Sequence, residues 1–124
     1  MNPADAVLEK DATGTYRHWR LEPDADGIVW LTFDKAGAST NTFSKDVMEE
    51  LGAIVDRLAA ERPKGLVIRS GKSSGFIAGA DVDEFTRIED VDDALAIVRR
   101  GWETFNRLAA LPFPTAALVE GFCM

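Results

Sequence analysis

Apolar positions along the chain follow two periods. Ile28-Val29-Trp30-Leu31-Thr32-Phe33 is a run of β-branched and aromatic residues and predicts a strand. A weakly alternating stretch at 18–21 precedes it, with a turn signal at 23–27 (PDADG), so residues 17–33 read as a hairpin. From Ser44 to Glu61 the period changes: Val47, Leu51, Ile54, Val55 and Leu58 form one helical stripe. Ser44 is placed to cap this helix, Asp46 falls in its first turn where the helix dipole favours an anion, and Arg62-Pro63 stops it.

Leu66-Val67-Ile68 is a short continuous apolar run, the pattern of a strand buried on both faces. Gly71–Gly75 reads as a turn, Phe76-Ile77 as extended chain, and Val82–Phe85 as a short helical turn. A second long helix is predicted over 92–111, with Leu95, Val98, Trp102, Phe105 and Leu108 on one stripe, and Thr115–Val119 is a last apolar strand. Strands separated by long helices predict a mostly parallel α/β arrangement. Residues 1–16 are polar and aperiodic, a lead-in to one unit at 17–124.

Composition narrows the partners. The chain has 124 residues, 46% hydrophobic and 28% charged, with a formal charge of −7, and that is ordinary globular material. The acidic balance argues against nucleic acid and against an anionic membrane surface, since both need basic faces. No segment approaches the ~18 apolar residues of a membrane span, and the first residues carry no apolar run fit for a signal peptide. Cys123 is the sole cysteine, so no internal disulfide forms, and a reducing, cytoplasmic setting is expected.

Candidate chemistry concentrates in SGKSSGFIAGAD, residues 70–81. Gly71-Lys72-Ser73 imitates the end of a phosphate-binding loop. The pattern needs a glycine at position 66, which is Leu66, and a helix afterwards, where the chain continues Gly75-Phe76-Ile77. The phosphate reading therefore fails. Ala78-Gly79-Ala80 has almost no side chain, so a ligand can approach the backbone and meet an amide N–H. Asp81 is placed to cap the next turn, and an N–H held there can stabilise an oxyanion. Tight packing at a strand–helix junction explains the same run.

Other residues carry less. His18 is the only histidine, which excludes a histidine triad, and it reads as a surface strand residue. Cys123 follows an apolar strand and reads as a buried small hydrophobe. Asp81, Asp83, Glu84, Glu89, Asp90, Asp92 and Asp93 are dense, but their spacing fits no calcium loop, so a solvated acidic face with a helix cap at Asp90 or Asp92 is expected and no metal is assigned. Lys35 and Lys72 are either local cations for an anionic ligand or surface lysines. Glu120 reads as structural, and Trp19, Trp30 and Trp102 as core or interface.

The segment SGFIAGADVDEF resembles the signature of the crotonase (enoyl-CoA hydratase/isomerase) superfamily. NTFSKDVMEEL at 41–51, GLVIRSG at 65–71 and LPFPTAALVEGFCM at 111–124 resemble further segments of that family in the same order. The wording SxNTFSK at 39–45 with FIAGAD is most similar to the hydratase part of multifunctional fatty-acid oxidation enzymes. The resemblance implies an α/β crotonase-like fold of ββα spiral units, N-terminal portion only. It implies action on acyl-CoA thioesters in fatty-acid β-oxidation by stabilising an enolate, as hydratase or isomerase, with no cofactor beyond the coenzyme A thioester that is the substrate.

Residue by residue, the family's thioester-oxygen donor matches the backbone N–H of Ala80. Its adenine-contacting backbone matches Ala78, Thr42 borders the coenzyme A, Val82 lines the acyl-CoA path, and Asn41 orders the loop. The family's second donor and its two catalytic glutamates would fall after Met124, so this chain is expected to be inactive by itself. A homo-oligomer or a complex with a thiolase-type subunit is implied for the full-length protein. The competing reading is a short crotonase-like module that binds acyl-CoA or a partner without turnover.

Overall fold

The computed structural model describes residues 16–124. Residues 1–15 of the lead-in lie outside the described residues, and its last residue, Tyr16, packs against the core, its hydroxyl accepting from Arg57 Nη1 at 2.9 Å. The elements are β1 (Trp19–Pro23), β2 (Ile28–Phe33), α1 (Lys45–Glu61), β3 (Gly65–Ser70), β4 (Gly75–Ile77), α2 (Val82–Thr86), α3 (Val91–Ala109), β5 (Thr115–Ala117) and β6 (Phe122–Cys123).

Four strands form one sheet in the order β1-β2-β3-β5, and β4 pairs with β6 in a second, two-stranded sheet. The β1–β2 pair is antiparallel, with Leu21 opposite Leu31. β2–β3 and β3–β5 are parallel, with Val29 opposite Leu66 and Leu66 opposite Thr115. The hairpin turn holds because Asp24 Oδ1 accepts from the Asp26 and Ile28 amides while Oδ2 accepts from Trp30 Nε1. Gly27 supplies the positive φ of 84° that this turn requires.

The core is α1 laid on one face of the sheet. Val47, Leu51, Ile54, Val55 and Leu58, the predicted stripe, are buried against Leu21, Val29, Leu31, Phe33 and Leu66. Trp19 stacks on Phe33 with ring centroids 4.2 Å apart, and its Nε1 donates to the Val47 carbonyl. Ser44 stands at the N-cap but does not cap. Its hydroxyl donates to Asp46, and Asp46 takes the Val47 amide. The helix closes on Arg62, whose left-handed φ of 52° lets its N–H return to the Leu58 carbonyl ahead of Pro63.

β3 departs from the two-sided burial its apolar run predicts. Leu66 is buried, but Val67 through Ser70 are half-buried, because the sheet face away from α1 carries polar partners. There Arg69 lies over the Trp30 ring at 4.8 Å and donates to Thr32 Oγ1 and Glu22.

α3 is amphipathic with the expected period, and Asp90 caps it by accepting the Asp92 amide at 2.9 Å. It crosses α1 at Gly52, where an added Cβ would meet Arg107 Nη2 at 3.2 Å. Arg107 pairs there with Asp56. Its stripe is not core, however. Leu108 is half-buried, but Leu95, Val98 and Phe105 are exposed and Trp102 is 65% exposed, so of its two readings, core or interface, the core one does not hold. α3 adds Leu108 to the core, and Leu111 follows it there, while Phe105 meets Phe43 and the rest of the stripe stays open.

Candidate functional site

The site is assembled around Asn41, which is buried between the two sheets. Its Nδ2 donates to the Phe33 and Phe76 carbonyls at 2.8 and 3.1 Å and to Ser70 Oγ at 3.1 Å, and its Oδ1 accepts the Lys35 amide at 2.9 Å. One side chain thus ties β2, β3, β4 and the 34–40 loop together, as expected of a loop-ordering residue. The Asn41 carbonyl then accepts the Ala78 amide at 2.8 Å.

From this anchor, 78–81 runs beside 41–43. Phe43 N–H donates to the Gly79 carbonyl at 2.8 Å, and Asp81 N–H donates to the Phe43 carbonyl at 2.9 Å. Gly79 has a φ of 86°, and a Cβ there would meet nothing within 4 Å, so backbone conformation rather than space calls for glycine. Between these bonded neighbours, the Ala80 N–H finds no acceptor among the described residues, and Ala80 is exposed. The Ala78 carbonyl also has no donor among them.

Asp81 is held by both oxygens. Oδ1 accepts the amides of Asp83 and Glu84, and Oδ2 accepts from Lys35 Nζ at 3.0 Å. The Lys35 ammonium keeps the Asp81 carboxyl below the ordinary carboxylate range, against a smaller opposing effect of burial. Lys35 Nζ also donates to Thr42 Oγ1 at 2.8 Å, which brings Thr42 to the same cluster as Asp81. Glu84 reaches back to accept the Lys45 amide at 2.7 Å, joining α2 to the start of α1.

Ala80 opens onto a groove of about 750 Å³ between α1 and α3. Phe43, Met48, Ile97, Val98, Trp102 and Phe105 supply its apolar lining, and Phe105 meets Phe43 edge-on at 5.3 Å. Of the residues singled out in the sequence, Ala78, Ala80 and Thr42 lie on adjoining segments, and Ala80 faces this groove. Val82 is 70% exposed at the start of α2, outside the groove lining.

Lys72, the lysine of the false phosphate loop, points inward. Its Nζ meets Asp34 Oδ1 at 2.7 Å and the Lys35 and Ala38 carbonyls at 2.7 and 2.5 Å. Lys35 and Lys72 are therefore internal struts rather than surface lysines.

His18 corrects its surface assignment: it is buried ahead of β1. Its Nδ1 accepts the Ala36 amide at 3.0 Å, so Nε2 carries the proton and donates to Asp46 Oδ2 at 2.9 Å. The Ser44 hydroxyl first, and His18 next, hold the Asp46 carboxyl far below its ordinary value. Cys123 corrects in the other direction, being exposed on β6, whose strand partner among the described residues is β4. Among the described residues no three His, Cys, Asp or Glu side chains converge to hold a metal, and no helix is long and apolar enough to cross a membrane.

No protein-family model matches the chain. Known relatives do. It is 37% identical over 108 residues to a fatty acid oxidation complex subunit alpha of Vibrio cholerae, a match that covers 86% of this chain and 15% of that one. It is 35% identical over 103 residues to the same subunit of Aliivibrio fischeri, covering 82% and 15%. The chain thus spans about 15% of the length of the curated relatives it matches. Among solved structures, an enoyl-CoA hydratase from Shewanella pealeana superimposes with a TM-score of 0.78 at 18% identity, over 98% of this chain and 44% of that one. One from Bacillus anthracis gives 0.76 at 20% identity, over 84% and 40%. At those identities the structures establish the fold, and the α subunits supply the kinship. Over most of its length the chain is a relative of the fatty acid oxidation complex α subunits, and its fold is that of the enoyl-CoA hydratases, a crotonase-like fold.

Proposed function

We propose that this chain carries the thioester-oxygen donor and the acyl groove of an enoyl-CoA hydratase/isomerase site, acting on acyl-CoA in fatty-acid β-oxidation. The observation that carries this reading is the Ala80 N–H. It is held between two hydrogen-bonded neighbours, without an acceptor among the described residues, at the wall of a large apolar groove. A donor fixed in this way needs no reorganisation as negative charge develops on a thioester oxygen, and that differential stabilisation is what accelerates the step. The groove takes the acyl chain, the Ala78 carbonyl accepts from the adenine amine, Thr42 borders the pantetheine, and Val82 lies along the path outside. The substrate's coenzyme A is the only cofactor this chemistry requires.

In hydration, charge builds on the thioester oxygen as water adds to C3, and in isomerisation as a proton leaves C2. Either route uses the Ala80 donor, and either needs a base and an acid that no residue in 17–124 matches by resemblance. Complete turnover is therefore assigned to the larger site, in a homo-oligomer or with a thiolase-type subunit, in the cytoplasm. This chain alone is expected to bind without turnover.

The test is isotope-edited infrared difference spectroscopy with [1-13C]hexanoyl-CoA. Binding is expected to move the labelled thioester carbonyl to lower wavenumber. Replacing the Ala80 residue by lactate, which exchanges only its N–H for an ester oxygen, is expected to abolish the shift and weaken binding about 2- to 10-fold, the worth of one hydrogen bond. A carbonyl band that stays at its solution position in the bound state sinks the assignment.

A further inference from the structure

Lys35 has no part in the chemistry above, yet its main chain is held more tightly than that of any other residue in the 34–40 loop. Its amide is taken by Asn41 Oδ1 at 2.9 Å, its carbonyl by Lys72 Nζ at 2.7 Å, and the next amide, of Ala36, by His18 Nδ1 at 3.0 Å. Three side chains from separate parts of the chain thus fix the base of one lysine. Its side chain is 13% exposed and ends in two bonds, to Thr42 Oγ1 at 2.8 Å and Asp81 Oδ2 at 3.0 Å. These acceptors stand on the two adjoining segments, 41–43 and 78–81, that flank Ala80.

The Ala80 N–H belongs to the Gly79–Ala80 peptide, whose carbonyl accepts the Phe43 amide, and the next peptide, which carries the Asp81 N–H, leads to a residue pulled from two directions. The Asp81 amide is drawn to the Phe43 carbonyl, and the Asp81 carboxylate to Lys35. Gly79 on the other side, with φ 86°, gives the run no stiffness of its own. Without the lysine, Asp81 retains its amide bond to the Phe43 carbonyl and its cap bonds to α2, but α2 is five residues long and its hydrogen bond to α1 among the described residues is the one accepted by Glu84.

We infer that Lys35 is a positioning residue for the Ala80 N–H: it clamps Asp81 and Thr42 together and so fixes the direction of the donor between them. This rests on the reading that Ala80 meets a thioester oxygen. A lysine suits the task because a partly buried ammonium can serve both segments with charge-assisted bonds while its own base is immobile.

Two measurements on Lys35→Met separate the clamp from the thioester reading. The first is the 15N order parameter of the Ala80 amide without ligand. It is expected near ~0.85 in the parent and below ~0.6 in Lys35→Met. The second is the [1-13C]hexanoyl-CoA carbonyl band, whose shift is expected to be lost or broadened in Lys35→Met.

An Ala80 amide as ordered in Lys35→Met as in the parent, or already mobile in the parent, overturns the clamp. So does a full carbonyl shift retained in the variant. A clamp seen by relaxation, with no carbonyl shift in the parent, instead overturns the thioester reading and leaves the positioning intact. If Lys35→Met loses its far-ultraviolet dichroism, Asp81→Asn carries the same predictions, because it keeps a cap acceptor for α2 but removes the charge that Lys35 grips.

Discussion

Asn41 offers the sharpest test of how the two sheets are joined. Truncation by Asn41→Ala withdraws three donated bonds and one accepted bond from a fully buried position. Two of the partners keep other bonds: the Phe33 carbonyl still takes the Gly71 amide, and Ser70 Oγ the Lys72 amide. The Lys35 amide has no second acceptor among the described residues. At about 0.5–1.5 kcal/mol net per bond, with the fuller penalty where a group is stranded, the loss sums to about 3 kcal/mol. With a urea slope of about 1.5 kcal/mol/M, the unfolding midpoint is expected to fall by about 2 M. Asn41→Asp supplies the internal control. It preserves size and the acceptor for Lys35 but turns an oxygen toward two carbonyls, so at pH 7 it should be worse than alanine. Burial raises the pKa of the new acid, so lowering the pH to about 5 should restore part of the midpoint. A midpoint for Asn41→Ala within ~0.3 M of the parent would refute the hub.

Three further outcomes follow from particular contacts. Asp46 has a folded pKa depressed below its unfolded value of about 3.9, so its stabilisation is complete above that pH and drains away as pH falls toward the folded value. Asp46→Asn should flatten this part of the acid limb in urea midpoints taken from pH 5 to pH 2, and parallel curves would count against the hydrogen bonds that Ser44 and then His18 give Asp46. Gly75 has φ 149°, and a Cβ would stand 2.6 Å from the Phe122 backbone. Gly75→Ala is expected to detach β6 and speed hydrogen exchange of the Met124 amide, now bonded to the Ile77 carbonyl at 2.8 Å, without disturbing α1. Trp102→Ser should change stability by less than about 0.5 kcal/mol, whereas Trp19→Ser should cost about 3–5 kcal/mol. The same Trp102 change should weaken hexanoyl-CoA binding several-fold, since that ring lines the groove.

Legibility in the sequence followed periodicity and stopped where periodicity stops. The α1 stripe and the β2 strand were plain because their period and their burial coincide. The α3 stripe has the period without the burial: a repeat at helical spacing shows that one face is apolar and is silent on whether anything covers it. The same gap misplaced Cys123, since among the described residues β6 has a strand partner on one side only. His18 carried the opposite error, for a lone histidine has no pattern, and its partners Ala36 and Asp46 are 18 and 28 residues away.

At the candidate site, the small-residue run at 78–80 was visible, but its residues alone favour tight packing at a strand–helix junction, and only the backbone shows that the Ala80 amide has no acceptor among the described residues. The Lys35–Asp81 clamp spans 46 residues and left no local trace at all. Thr42 and Ala78 came from family resemblance, not from chemistry that spacing could reveal.

The parallel β2–β3 ladder has a consequence for synthesis. The β1–β2 hairpin can close soon after Phe33 is made, which covers one edge of β2. The other edge waits for β3: Thr32 pairs with Arg69, 37 residues further on. At about 5–20 residues per second, that edge of IVWLTF stays open for about 2–7 s on the ribosome. A bare apolar strand is a template for pairing with another chain. During those seconds the stripe on α1, the next element to emerge, is the only part of the core that can begin to cover it.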